Sequence, residues 1–323
     1  MYPRKIMRVA TICLLGVACS SPPVKPANPP ASCPVADRGA DAYAARRSTI
    51  GTVVGKGREF EWKLEAPLDA VAARATCKDE SEDLRILCFE GIAQGYGSAL
   101  AKQGASEAAL RESTAQLARI DESSSVIYCR GLGAGLHAGG MTTDKLAPLI
   151  AGLDARCKDG IADGFSTRSY MAASPKATTA FVEAIKLDDA CAGLEARWCA
   201  FGAGRALAHM FPGDPTSAAH GCQGAQRRAC LSGIAYVTTY FYDRDDLGYT
   251  TTRVAAFAGD DRAGYMAGAG SALQWLKRSN HLEHRLACLQ GADRALVQRI
   301  QSTAEACGAF DFTDGANCRW EAL

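Results

Sequence analysis

The chain contains 323 residues, of which 48% are hydrophobic, 22% charged and 7% aromatic, with 32 Gly and 14 Cys. This length and composition are typical of a globular protein with one large domain or two ordinary ones. The 36 basic and 35 acidic residues leave a formal net charge of +1, and because no basic excess is available to neutralise phosphates, we expect no nucleic-acid partner.

The first segment, residues 1–18, has the layout of a secretory signal peptide. Basic residues precede an apolar run from Val9 to Ala18, which is too short to span a bilayer as a mature helix. The run ends in small residues directly before Cys19, and this arrangement resembles the lipobox of bacterial lipoproteins. The resemblance implies that Cys19 is diacylated and becomes the mature N-terminus. An ordinary cleaved signal is the alternative.

Residues 19–47 are predicted to be a lipid-anchored spacer, because the stretch from Ser20 to Pro34 is rich in proline and contains almost nothing apolar. Such segments are extended and semi-rigid. By resemblance to lipoproteins, Ser20 after the lipid cysteine implies export to the outer membrane, facing the periplasm or the cell surface. The lipid would then be the chain's contact with the membrane.

Residues 48–67 suggest a small β-hairpin. A β-branched run from Thr52 to Val54 is followed by Gly55-Lys56-Gly57, and then by alternating apolar residues at Phe60, Trp62 and Leu64. Alternation on both sides of a glycine-rich turn is typical of two short antiparallel strands.

Residues 68–323 are predicted to form a helical repeat domain. A repeat of the form C-x-x-G, with a small residue four places after the glycine, begins at Cys88, Cys157, Cys199, Cys230 and Cys288, a cysteine-free copy begins at Asp261, and Cys129 begins a copy shifted by one residue. The copies are separated by roughly 27 to 42 residues, which is the period of helix-pair repeats. The sequence therefore predicts an all-α fold, an irregular α-solenoid or a helical bundle of short helix pairs.

Local signals agree with helices between the repeat starts. Ser106, Ser174-Pro175 and Asp214-Pro215 are typical of helix N-termini, and Leu110, Leu117 and Ile120 fall on one face. Glycine inside a helix costs about 1 kcal/mol relative to alanine, so the glycines spaced four apart, such as Gly91 and Gly95, need a packing reason. We expect them to let neighbouring helices approach closely.

The cysteines predict a disulfide framework. After Cys13 in the signal and Cys19 are set aside, twelve remain, and an even number in an exported chain is typical of disulfides. Zinc is the alternative, but the C-x2-4-C spacing of zinc sites does not occur. The spacing favours 77–88, 191–199, 222–230 and 307–318, with 129–157 next and 33–288 left by elimination; the cysteines are Cys33, Cys77, Cys88, Cys129, Cys157, Cys191, Cys199, Cys222, Cys230, Cys288, Cys307 and Cys318.

Two segments, ACAGLEARWCAFGAGRALAHM at 190–210 and GCQGAQRRACLSGIAYV at 221–237, resemble the cysteine-rich, tetratricopeptide-related repeats of secreted bacterial proteins. In that family a C-x7-C pair joins the end of one helix to the start of the next. The resemblance implies a protein-binding scaffold.

Histidines are the first candidates for chemistry. His281 and His284 form H-x-x-H, which could share a metal on a helix, but the surrounding polar residues favour a solvated helix start. Gly133, Gly135 and Ala138 satisfy G-x-G-x-x-A, yet the context is helical and lacks the strand of a dinucleotide site.

Asp243 to Asp246 begins like a calcium loop, but Val254 stands where the loop needs glutamate. A polar surface cluster with Asp260 and Asp261 is the expected alternative. No catalytic motif indicates an enzyme, and we predict no resident metal or cofactor.

The sequence therefore favours an envelope lipoprotein that binds an envelope protein partner through a disulfide-bonded helical surface. One alternative is a hydrolase or a metal-dependent enzyme that uses His281, His284 or His137 together with the Asp243 to Asp246 cluster. Another is an exported lipoprotein toxin or its antagonist. The oligomeric state is not predicted.

Overall fold

The structure, a computed structural model, describes residues 33, 40–62, 67–120, 125–173, 191, 193–279, 281–307 and 320. These residues form helices, turns and irregular segments, and no strand occurs among them, so the predicted all-α fold is confirmed. The helices are α1 (Ala40–Arg58), α2 (Ala70–Thr76), α3 (Glu82–Gln103), α4 (Glu107–Ala118), α5 (Ser125–Ala138), α6 (Thr143–Ile150), α7 (Ala155–Ala173), α8 (Ala196–Met210), α9 (Pro215–Ala219), α10 (Arg227–Val237), α11 (Gly248–Ala255), α12 (Gly259–Arg278), α13 (Leu282–Leu286) and α14 (Gly291–Cys307). A π-helical turn, Thr238–Tyr242, continues α10.

The predicted hairpin is wrong over residues 48–58, which belong to α1. Val53 and Gly57 are both buried and lie four residues apart, so they share a helical face where the alternation suggested a strand. Gly57 is needed for packing: a Cβ there would lie 2.0 Å from the Cys88 carbonyl oxygen in α3. Beyond α1, Trp62 donates through Nε1 to the Ile92 carbonyl at 3.0 Å. Residues 63–66 of the predicted hairpin lie outside the described part.

The long helices form one row in which each packs against the next, in the order α1, α3, α5, α7, α8, α10, α12 and α14. The shorter helices α2, α4, α6, α9, α11 and α13 pack beside this row. The row also curls back on itself, because α1 contacts the π-helical turn after α10. There Tyr43 of α1 and Tyr242 of the turn meet edge to face, with ring centroids 5.5 Å apart.

The repeat glycines are the points of closest approach in the row. A Cβ at Gly202 in α8 would lie 2.1 Å from the Asp163 carbonyl oxygen of α7, and one at Gly233 in α10 would lie 2.0 Å from the Phe201 carbonyl oxygen of α8. No side chain fits at such distances, so the neighbouring backbones touch directly. The packing reason expected for these glycines is confirmed.

Five predicted cysteine pairs are bonded: 33–288, 77–88, 129–157, 191–199 and 222–230. Their Cα–Cα distances, such as 5.1 Å for 129–157 and 5.5 Å for 33–288, are in the usual range for disulfides. Cys307 is also disulfide-bonded, but its predicted partner Cys318 lies outside the described residues. The bond 129–157 joins two consecutive helices of the row, α5 and α7. The bond 77–88 joins the end of α2 to α3, and 191–199 and 222–230 each join the segment before a row helix to that helix. The bond 33–288 joins the start of the described chain to the turn before α14.

Two predicted helix starts are confirmed by their caps. The Ser106 side chain accepts from the Ala109 amide at 3.2 Å, and Asp214 accepts from the Ser217 amide at 3.0 Å. The predicted Ser174-Pro175 start lies outside the described residues. The predicted apolar face around α4 is buried at Leu110, Leu117 and Ile120. None of the described helices has the length and apolarity needed to cross a bilayer.

Candidate functional site

One position of the repeat carries polar residues into the interior of the row. Six residues after the repeat cysteine, α3 has Gln94, α7 has Asp163, α8 has Arg205 and α10 has Tyr236. The last three are buried. We call this repeat position the polar column. Sequence reasoning missed it, although polar residues recurring at one place in successive repeats were a usable signal.

Around the polar column, four charged side chains form a buried ion network of Glu90, Arg130, Asp163 and Arg205. Arg130 Nη2 in α5 donates to Glu90 Oε2 in α3 at 2.6 Å, and Arg205 Nη1 in α8 donates to Asp163 Oδ1 in α7 at 2.8 Å. Arg205 Nη2 also lies 3.9 Å from Glu90 Oε1. Each side chain is at most 8% exposed, so four successive helices of the row are joined by charge.

The ion network favours the charged forms of Glu90 and Arg130. Burial alone would raise the pKa of Glu90, but the charges of Arg130 and Arg205 outweigh it and the pKa is lowered. Burial likewise opposes the charge on Arg130, and Glu90 outweighs it, so the pKa of Arg130 is raised. The Tyr236 hydroxyl is hydrogen-bonded to Arg130, and burial raises the pKa of Tyr236. With two carboxylates and two guanidiniums, the network is neutral overall.

A cavity of about 190 Å³ lies above this network, inside the curl of the row. Its described walls come from α1, α3, α5, α7, α8 and the π-helical turn. Apolar side chains make up much of the wall, namely Ile50, Val54, Leu87, Met171 and Phe241. The cavity therefore lies where the two ends of the curl meet, next to the buried charges.

The charges around the cavity are unequal. Four arginines line it, Arg47, Arg58, Arg168 and Arg205, against one carboxylate, Glu90. Arg205 is paired within the ion network, whereas Arg47, Arg58 and Arg168 have no ion-pair partner in the described part of the chain. Among the described residues that line the cavity, positive charge is therefore in surplus.

His209 lines the same cavity and is neutral. Burial, followed by the charge of Arg205, lowers its pKa to about 3. Its Nδ1 is 3.0 Å from the Tyr242 hydroxyl, a distance that fits a hydrogen bond. His209 can therefore exchange a hydrogen bond with a ligand without adding charge at neutral pH.

The contact between α1 and the π-helical turn is reinforced by a second buried ion pair. Arg253 of α11 donates through Nε to Asp243 Oδ2 at 2.6 Å and through Nη2 to the Tyr43 hydroxyl at 3.2 Å. Arg46 of α1 donates to the Tyr242 carbonyl oxygen. These bonds hold the cavity wall formed by α1 against the rest of the row.

Carboxylates of the predicted acidic cluster form ion pairs with arginines. Asp243 pairs with Arg253, and Asp245 Oδ1 accepts from Arg285 Nη2 at 2.9 Å. Asp261 is bound by Arg227 through two hydrogen bonds. The residues predicted as one polar surface therefore lie in separate ion pairs.

The candidate histidines belong to two helices, His137 to α5 and the other two to α13 and its N-cap. His137, near the end of α5, packs edge-on against Phe165 at 5.0 Å between ring centroids, and burial lowers its pKa. His281 is the N-cap residue of α13 and His284 is exposed within that helix, in agreement with a solvated helix start. The described part of the chain holds no group of three or more His, Cys, Asp or Glu arranged to bind a metal ion.

The G-x-G-x-x-A glycines lie within α5 and serve helix packing. A Cβ at Gly133 would lie 2.2 Å from the Ile161 carbonyl oxygen of α7, and one at Gly135 would lie 2.2 Å from the Gln94 carbonyl oxygen of α3. Comparison of the chain with protein-family models, curated proteins and solved structures found no match.

Proposed function

We propose that the protein is an outer-membrane lipoprotein, anchored through Cys19, whose helical row binds an envelope protein. The signal-like residues 1–18, Cys19 and the proline-rich stretch up to Pro34 lie outside the described residues except for Cys33, and their sequence supports the anchor. The last part of the predicted spacer, residues 40–47, belongs instead to α1. The five disulfides support export, because such bonds persist in oxidising compartments.

The observation that carries the binding role is the covalent and backbone-level fixation of the row. Disulfides 191–199 and 222–230 fix the starts of α8 and α10 to the segments before them, and glycines such as Gly202 and Gly233 place neighbouring helices in direct backbone contact. A surface held in one geometry loses little conformational entropy when a partner binds, which favours affinity. The exposed faces of α4 and α14 are two of the surfaces open to such a partner.

The anchor is tested by fractionating cells that express Cys19→Ser or Cys13→Ser. We expect Cys19→Ser to leave the membrane fraction and remain folded, because it removes the acylated thiol. The matched variant Cys13→Ser changes a thiol inside the signal segment and should remain with the membrane. Retention of Cys19→Ser in the membrane fraction would show that another feature holds the protein there.

The binding role is tested by placing a photoreactive amino acid at exposed Ala108 of α4 or exposed Ala306 of α14 in intact cells. A scaffold with one binding surface should give a single cross-linked product of defined mass from one of these sites. The product should disappear with Cys19→Ser, which removes the protein from the membrane. If neither site gives a product above background, the scaffold proposal fails on these surfaces.

A further inference from the structure

The cavity enclosed by the curl of the row combines unpaired positive charge with apolar walls. We propose that it is a binding site for a small organic anion that has an apolar body. This inference is independent of the scaffold proposal, because it concerns the interior of the curl and requires neither a lipid anchor nor a protein partner.

The charge argument starts from the rim arginines, Arg47, Arg58 and Arg168. Arg47 and Arg58 are exposed and Arg168 is half-buried, and all three line the cavity without an ion-pair partner among the described residues. Two of them come from α1 and one comes from α7. An anion in the cavity would therefore meet guanidiniums from more than one helix, and these bind carboxylate or phosphate oxygens well.

The polar side chains at the inner end of the cavity are already held in fixed positions. Arg205 is fixed by Asp163 at 2.8 Å and lies 3.9 Å from Glu90, so it cannot swing away when a ligand enters. Thr167 beside it donates to the Gly202 carbonyl at 3.0 Å. Because these groups are held in place by the row itself, binding costs little rearrangement on the protein side.

The walls favour an anion with an apolar body over a small anion without one. Ile50, Val54, Leu87, Met171 and Phe241 contribute apolar surface, which would remain poorly covered by phosphate or acetate. An alkyl or aryl body would remove this surface from water, which favours binding. The volume of about 190 Å³ is below the roughly 300 to 1,000 Å³ of sites for drug-sized molecules, so the ligand must be small.

The test uses the full chain carrying Cys19→Ser, so that no attached lipid competes, and isothermal titration calorimetry at low ionic strength. The probes are octanoate, octylammonium and acetate. Octanoate and octylammonium share an apolar body and differ in charge, whereas acetate keeps the charge without the body. We expect saturable octanoate binding with a stoichiometry of one, at least about tenfold tighter than either of the others.

A rim variant then locates the site. Arg47→Gln/Arg168→Gln should weaken octanoate binding about tenfold, since it removes two of the positive charges that line the cavity. Both side chains lie outside the buried ion network, so the melting temperature should stay close to that of the parent. The matched control is Arg294→Gln, an exposed arginine in α14, which should bind octanoate unchanged.

Three results would overturn the proposal. The first is no saturable octanoate binding, and the second is octylammonium or acetate binding as tightly as octanoate. The third is a rim double variant that melts normally and binds octanoate with the parent's affinity.

Discussion

Helices α10 and α12 are successive members of the row that approach their neighbours in the same way but are fixed by different chemistry. In α10, Cys230 is bonded to Cys222 in the preceding loop. In α12, Asp261 stands at the cysteine position and is held by Arg227 of α10, with hydrogen bonds of 2.8 and 2.7 Å. A repeat can therefore be fixed near its start by a covalent bond or by a two-point ion pair.

Glycine contacts are what the two helices share. A Cβ at Gly233 of α10 would lie 2.0 Å from the Phe201 carbonyl oxygen, and one at Gly268 of α12 would lie 1.9 Å from the Ser232 carbonyl oxygen. Ser232 Oγ also donates across this contact to the Gly264 carbonyl at 2.7 Å. Close backbone approach is thus common to both repeats, whereas the disulfide is found only in one of them.

The two helices also differ at the polar column. Tyr236 of α10 is hydrogen-bonded to Arg130 of the ion network, whereas the corresponding residue of α12 is the buried Ala267. The buried charges therefore belong to the helices that curl around the cavity and end before α12. We infer that the polar column serves the cavity, while the glycines build the row.

Neutralising a buried charge of the ion network should have the largest effect on the free energy of unfolding. Glu90→Gln would leave Arg130 and Arg205 buried with one carboxylate fewer, and we expect a loss of about 3 to 5 kcal/mol in the free energy of unfolding. Urea denaturation measures it. As control, Glu107→Gln breaks a half-exposed pair with Arg111 and should cost about 0.5 kcal/mol or less. Equal effects of the two variants would mean that the network does not hold the curl.

Removing the disulfide of α10 should have the next largest effect. Cys222→Ala/Cys230→Ala opens a short loop, and we expect a loss of about 2 to 3 kcal/mol in the free energy of unfolding. Asp261→Asn, which weakens the ion pair of α12, should cost about 0.5 kcal/mol, since that pair is one-third exposed. If Asp261→Asn is as damaging as the double cysteine variant, the ion pair is a full replacement for the disulfide.

The shared glycine contacts predict equal losses in the two helices. Gly233→Ala and Gly268→Ala each force a methyl group against a carbonyl oxygen of the neighbouring helix, and we expect about 1 to 3 kcal/mol of destabilisation for each. Thermal melting measures both. Gly51→Ala in α1 is the matched control, because no atom lies within 4 Å of its Cβ position, and it should stabilise by up to about 1 kcal/mol. Markedly unequal losses at Gly233 and Gly268 would contradict a common role.

The smallest expected effect depends on pH and concerns Asp159, two residues after the repeat cysteine of α7, where α12 has Ala263. Burial and then the charge of Glu195 raise the pKa of Asp159 from 3.8 to about 6. The folded state therefore binds the proton more tightly, and this stabilisation is present below pH 3.8 and is lost as the pH rises through about 6. Asp159→Asn should melt slightly higher than the parent at pH 7, and this advantage should vanish near pH 4.

Glu195→Gln provides the matched variant for the pH prediction. It removes the repelling charge and leaves Asp159 in place, so the dependence of melting temperature on pH should become shallower. A parent and an Asp159→Asn variant with parallel melting curves from pH 4 to 7 would show that Asp159 does not have the raised pKa.

Local features of this fold were predictable from the sequence, and long-range ones were less so. The caps at Ser106 and Asp214 and the pair 191–199 follow from residues close in the chain, and the bond 33–288 was reached only by elimination. The hairpin prediction was wrong because Gly57 looks like a turn residue in a short window, while its role depends on Cys88 in another helix.

The cavity and the ion network could not be predicted from the sequence, for a related reason. Glu90 and Arg130 lie 40 residues apart and Arg205 and Asp163 lie 42 apart, so their pairing depends on which helices are neighbours. The rim arginines carry no motif at all. Once the repeats are aligned, however, the polar column at Gln94, Asp163, Arg205 and Tyr236 marks the helix face that turns inward.

The central claim, that disulfides fix helices of the row near their starts and join α5 to α7, is tested most directly by mass spectrometry of the unreduced protein after proteolysis. The predicted result is linked peptides for 33–288, 77–88, 129–157, 191–199 and 222–230, with no free thiol at these positions. Free thiols at both Cys191 and Cys199, or links that join different partners, would contradict it.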